Sequence, residues 1–262
     1  MKSISQLFEK TGRCVFHELD EIGGLVIFLW ESLLSIFRFA INFDNLIDQM
    51  VFIGIDSVYI VGLTGLFTGM VLALQAYYAA KIVGVTYMIG PTVALSMTRE
   101  LGPVLTALMI TARCGSSMAS EIGTMKVTEQ IDALEVMAVD PYYFLSVPRI
   151  LAAMFMVPIM AVVCSVIGIT GGYIVNSYFL GLNHVIYVQK IYQFLKVRDI
   201  YNGLIKAFFF GLILSTISTF KGFETTGGAK GVGRFTTQAV VLSSIYILFA
   251  DYLLTSILFN AA

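Results

Sequence analysis

Residues 99–135 read RELGPVLTALMITARCGSSMASEIGTMKVTEQIDALE. An adjacent Arg and Glu open the stretch, twelve residues without a charge follow (Leu101 to Ala112), and the rest is crowded with small and polar side chains. The apolar part belongs in oil and the polar part in water, so this stretch carries the chain out of a membrane. Two features need a reason: an ionisable pair at the edge of an apolar helix, and a water-facing helix soon after it.

The surrounding sequence supports that setting. Of 262 residues 58% are hydrophobic and 13% charged, against about 25% charged in soluble domains, and the mean hydropathy is +0.86. A helix crosses a bilayer core with about 20 mostly apolar residues. Ser57 to Ala80 has no charge, Ile150 to Gln189 is forty uncharged residues, and Ala207 to Phe220 and Phe235 to Ala250 add two more runs. These predict five spans, near Asp48–Lys81, Val85–Ser120, Arg149–Tyr173, Leu204–Phe220 and Ala239–Phe259. Gly90-Pro91 and Gly102-Pro103 predict kinks in the second.

The fold class is therefore an all-α integral membrane protein, with residues 1–47 an N-terminal cytoplasmic or interfacial helical segment and 48–262 the transmembrane domain. In Gly24–Asn42 the polar residues Glu31, Ser35, Arg38 and Asn42 form one narrow stripe on an apolar helix, which suits a helix lying in the interface. A sixth span with its stripe against protein is the alternative. Charges from Lys2 to Glu21 exclude a signal peptide. Lys and Arg number ten in the segments assigned inside and four in those outside when the N-terminus is cytoplasmic, which puts the C-terminus on the far side. Cys14, Cys114 and Cys164 are too scattered for a metal cluster or a disulfide framework. A net charge of -1 points away from nucleic acid.

Catalytic patterns are missing. GAKGVGRF (228–235) has Arg234 and Phe235 where a phosphate-binding loop needs Lys and Ser or Thr, and reads as a tight turn in a glycine-rich loop. His17 and His184 stand apart from any nucleophile or paired carboxylate. In EIGTMKVTEQIDALEVMAVDP, Val127, Ile131 and Leu134 share one face, Thr128 is placed to cap, and Glu129, Asp132 and Glu135 stay off the apolar side. Periodicity alone leaves open whether this short helix is simply solvated or docks on a separate subunit.

The segments RELGPVLTALM, EIGTMKVTEQIDALEVMAVDP, VPRILA and GGAKGVGRFTTQAVV closely resemble the MlaE (YrbE) family of ABC-transporter permeases, over roughly Asp48 to the C-terminus. The resemblance implies a homodimer bound to two cytoplasmic ATPases, with an MCE-type lipid-binding protein on the periplasmic side. It implies phospholipid as cargo and the inner membrane of a Gram-negative cell as location. The chain then needs no cofactor, ATP being bound by the partner. The short polar helix becomes a coupling helix, with Glu121, Gly123, Thr124, Glu129, Asp132 and Glu135 as candidates: the glycine for close backbone approach, the acids for basic residues of the ATPase.

Arg99 and Glu100 fall near the outer end of the second span. Intramembrane charges are costly and are either paired or functional, so the choice is between a structural Arg–Glu pair and a guanidinium that meets a lipid phosphate. In the second case Leu72, Gln75, Ala79, Arg99, Glu100 and Leu101 line a lipid cavity between two protomers. Asp251 is expected to accept hydrogen bonds from a neighbouring helix. A secondary transporter or channel is the alternative function, and a membrane-embedded enzyme is third; the sparse midplane charges and the absence of a catalytic cluster argue against them.

Overall fold

The computed structural model describes residues 23–32, 34–35 and 43–260, and every regular element among them is helical. Arg38 and Asn42 of the predicted stripe, His17, Cys14 and the charged residues Lys2 to Glu21 lie outside these. In chain order the helices are α1 (Gly23–Ser32), α2 (Phe43–Ile53), α3 (Val58–Val83), α4 (Ile89–Ser96), α5 (Gly102–Ile110), α6 (Ser116–Val127), α7 (Gln130–Val136), α8 (Val147–Ile174), α9 (His184–Phe194), α10 (Val197–Phe223) and α11 (Gly228–Asn260).

Five continuous stretches are long and apolar enough to cross a membrane: Phe43–Val83, Thr86–Val127, Tyr142–Phe179, Val197–Phe223 and Gly228–Leu258. Among the described residues α1 contributes 10, Gly23–Ser32, fewer than the about 20 that a span needs. α1 turns Leu25, Phe28 and Ser32 inward and leaves Val26, Ile27 and Trp30 exposed. Phe28 packs edge-on against Tyr142 and Phe220 at centroid distances of 5.5 and 5.6 Å, fastening α1 to the ends of the third and fourth spans. Of the predicted stripe, Glu31 is exposed and Ser35 buried, so its two described members do not share one environment.

The second span comprises α4, α5 and α6 joined by two π-helical turns, Met97–Leu101 and Thr111–Gly115. The first ends directly before Gly102-Pro103. Proline lacks an N–H and its ring collides with the carbonyl four residues back; a π turn widens the helix at that place and accommodates it. Pro91, by contrast, lies in the first turn of α4, where a missing N–H costs little. Only one of the two expected interruptions thus disturbs the helix.

Every span runs further than the apolar runs predict, and the clearest case is GAKGVGRF. Instead of a loop, it forms the start of α11: Gly227 and Gly228 take φ of 87° and 67°, make the turn, and the helix begins at once. The predicted loop shrinks to the few residues between Phe223 and Gly228.

The core forms where α3 and α10 pack on α8, with Val61, Ala73, Val157, Phe210 and Leu214 buried. Small residues permit the α3–α8 approach: a Cβ on Gly69 would overlap the Gly168 carbonyl. α11 instead exposes Val241, Ile245, Leu248, Phe249 and Tyr252, an apolar face that suits lipid. Between α2 and α3 runs a short 3-10 turn, Ile55–Ser57, and Arg113 ties its two sides together, donating through Nη1 to Phe52 O (2.9 Å) and Ser57 Oγ (2.8 Å). Cys114 and Cys164 are buried free thiols.

Candidate functional site: a coupling platform and a buried charge cluster

At one end of the bundle α6 stops at Val127 and α7 starts at Gln130. Thr128 does not cap α7: it closes α6, its hydroxyl donating to Thr124 O at 2.9 Å. Glu129 takes the N-cap place with φ 61°, a left-handed conformation unusual for a residue with a Cβ. This break resets the helical phase, so Val127 does not join Ile131 and Leu134. Those two pack with Ile122, Met125, Leu145 and Phe223 in a small core beneath α7.

Glu129, Asp132 and Glu135 face solvent, and Asp132 pairs with Lys126 at 2.9 Å. Thr124 is exposed and donates to Ser120 O. Glu121 pairs with Arg149 at 2.9 Å, and the buried Arg149 also donates to Leu145 O at 2.7 Å. Beside that pair opens a cavity of about 320 Å³ walled by Asp48 and Gln49 of α2 and Phe144. Gly123 is buried, and a Cβ there would stand 2.7 Å from Thr225 Oγ1, so its small size permits a close contact within the chain. The sequence reading also missed Val136 and Met137, which are exposed just past the acids. Their signal was present, as two apolar residues off the face of Ile131 and Leu134.

Toward the opposite end Arg99 and Glu100 do not pair with each other, which overturns the structural Arg–Glu pair. Consecutive helical residues point in different directions, and each reaches its own partner on α10. Arg99 donates through Nε to Asp199 Oδ1 at 2.8 Å and approaches it through Nη2 at 2.6 Å. Asp199 Oδ2 accepts from the Lys196 backbone N–H, capping α10. Glu100 pairs with Lys206, whose ammonium also donates to Asp251 Oδ1 (3.1 Å) and Thr255 Oγ1 (2.6 Å). Asp251 thus accepts from a neighbouring helix, as expected. Lys206 is 1% exposed; a buried ammonium needs such a set of acceptors.

Leu72 and Leu101 are partly buried against the core, whereas Gln75 and Ala79 are exposed on α3. Arg99 keeps about a third of its side chain exposed (32%). Beyond this cluster α9 lies across α4, where the Tyr187 hydroxyl donates to Ile169 O at 3.3 Å. Burial pushes that phenol well above its usual range, so it stays a donor.

Residues 46–257 match the family model described as Permease MlaE. The chain belongs to the MlaE permease family. A probable ABC transporter permease protein of Rickettsia bellii is 43% identical over 249 residues, covering 95% of this chain and 96% of the relative. The intermembrane phospholipid transport system permease protein MlaE of Haemophilus influenzae is 36% identical over 251 residues, with coverages of 95% and 96%. The chloroplastic protein TRIGALACTOSYLDIACYLGLYCEROL 1 of Arabidopsis thaliana is 36% identical over 232 residues, 88% of this chain and 66% of that one. As an MlaE-family permease the chain is a transport subunit, and nothing in these likenesses favours a secondary transporter or channel.

Proposed function

We propose that this chain is the membrane subunit of an ATP-binding-cassette transporter that moves phospholipid between the inner and outer membranes. It works as a homodimer in the inner membrane of a Gram-negative cell, with its N-terminus cytoplasmic and its C-terminus periplasmic. Two cytoplasmic ATPases bind and hydrolyse ATP, and an MCE-type protein receives or delivers lipid outside. The observation that carries this reading is the α7 platform, a polar, acid-bearing helix held rigidly beneath the spans by Ile131 and Leu134. The relatives named as ABC permeases and as a phospholipid transport permease support it.

On this reading Glu129, Asp132 and Glu135 meet basic residues of the ATPase, together with Thr124 and Glu121 on the adjoining helix. Gly123 acts indirectly, by letting α6 sit against the α10–α11 connection. Arg99 presents a planar donor fork to a lipid phosphate, while Asp199 holds the fork in place from behind. Leu72, Gln75, Ala79 and Leu101 complete an amphipathic wall once two protomers face each other, with Glu100 fixed to Lys206 at its margin.

The test is reconstitution of the permease with its ATPase in proteoliposomes containing a labelled phospholipid, with a soluble MCE protein outside. ATP-dependent exchange of label between bilayer and MCE protein is expected. ATP turnover that leaves the label where it was would overturn the reading.

A further inference from the structure

A groove of about 110 Å³ lies between α8 and α10, and none of its lining residues belongs to α3, which carries Gln75 and Ala79. Val162, Val166 and Ile169 form one wall, and Ile200 and Leu204 form the other, beside Pro103. Val162 and Val166 are 40% and 57% exposed, on the outside of a helix that crosses the membrane, so hydrocarbon is what surrounds them. The groove asks for no polar ligand. Its Ser165 hydroxyl lies 2.8 Å from Ala161 O and 3.1 Å from Met97 O, both already within hydrogen-bonding range in the chain.

Its depth is set by two backbone features. Gly203 brings α10 against the π turn of the second span, since a Cβ there would overlap the Thr98 carbonyl. That turn thereby lies beneath the gap between α8 and α10. From Ala161 to Ile169 the groove follows α8 for about 12 Å at 1.5 Å per residue, a length that takes part of an acyl chain. At its outer end it reaches Leu195, and Lys196 and Arg198, both exposed, follow within three residues where α10 begins. An apolar slot capped by exposed cations matches a phospholipid: one tail below, an anionic phosphodiester above.

We propose that this groove is a second lipid site, which holds one acyl chain of an outer-leaflet phospholipid at the flank of the permease. The inference rests on the orientation and cargo given under the proposed function. The site sits beside the Arg99–Asp199 pair, because Asp199 directly precedes Ile200. A lipid held here waits next to the inter-protomer cavity without occupying it.

The experiment uses the full chain in nanodiscs of phosphatidylethanolamine and phosphatidylglycerol, with a trace of phospholipid carrying a mid-chain diazirine and no ATP. After irradiation, labelled peptides are mapped. Label on residues 162–169 and 200–204 is expected to exceed several-fold that on Leu248 and Phe249, which are exposed on α11. Val166→Trp fills the groove from its open side and is expected to lower that label several-fold while leaving the α11 label unchanged. Val162→Trp makes the same forecast, so misfolding of one variant does not decide the matter. Lys196→Gln with Arg198→Gln is expected to weaken labelling by the anionic lipid more than by the zwitterionic one.

Equal label on the groove and α11 would mean ordinary annular lipid and would overturn the proposal. So would a groove label indifferent to both tryptophans. Because no turnover is involved, groove labelling without ATP-driven lipid exchange would overturn the proposed function and leave the site standing. The reverse pattern would do the opposite.

Discussion

The two ends of the molecule use the same ion-pair chemistry under opposite conditions. At the α7 end Lys126 and Asp132 pair with side chains 37% and 55% exposed. In the other half Lys206 is 1% exposed and meets Glu100 and Asp251 at 36% and 22%. In water such a pair adds little, because the high dielectric and salt weaken the attraction and holding two long side chains in one geometry costs entropy. In the interior the pair adds little as well, but neither partner can be removed without stranding the other. The exposed acids are therefore available to a partner protein, whereas the buried set fixes how the second, fourth and fifth spans fit together.

Lys206→Met should break this contrast most severely, lowering stability by about 3–5 kcal/mol through two stranded carboxylates. Thermal unfolding in detergent measures it, and adding Glu100→Gln and Asp251→Asn should return most of the loss. A fully stable single variant would mean the cluster is not a buried network.

Arg99→Ala should cost less, about 1–3 kcal/mol for a charged hydrogen bond, since Asp199 retains the Lys196 N–H. It should also reduce lipid crosslinking to the cavity and lipid transport, with Arg99→Lys recovering only part. A variant that folds, crosslinks and transports like the parent would remove Arg99 from the lipid site.

Charge reversal at Glu129 and Asp132 together should leave stability near the parent's and weaken ATPase association by about 1–3 kcal/mol, read as a shift in a pull-down titration. Intact assembly would separate α7 from coupling. The smallest effect belongs to Lys126→Ala, at under about 1 kcal/mol by thermal unfolding; a larger loss would show that the exposed and buried pairs differ less than their burial says.

Charge-free runs were enough to place five spans, because oil tolerates no unpaired charge over 20 residues. The ends of the helices were not legible from the same signal. Hydropathy reports where oil is, whereas the helix continues past it: Glu121 and Lys126 are helical at one span's end, and Lys230 and Arg234 at another's start. Among the site residues, Arg99, Glu100 and Asp251 stood out as charges in apolar sequence. Their partners Asp199 and Lys206 did not, because pairs about a hundred residues apart are set by packing, and local spacing carries no trace of them. The contact of Gly123 with Thr225 left no trace either, since the two are about a hundred residues apart in the sequence.

The two π turns of the second span carry a consequence for how that span can be altered. Each winds one surplus residue into the helix, which shifts the angular phase of everything after it by about 100° relative to a regular 3.6-residue count. The two together shift α6 by about 200° relative to α4, so residues that a regular wheel would draw on one side stand on nearly opposite sides. Deleting a single residue within Met97–Leu101 would therefore remove only the surplus: the turn would close to regular α-helix and the face that follows would keep its direction. The same deletion within the regular turns of α5 has no surplus to absorb it, and would swing everything after it by about 100° past the neighbours it now meets.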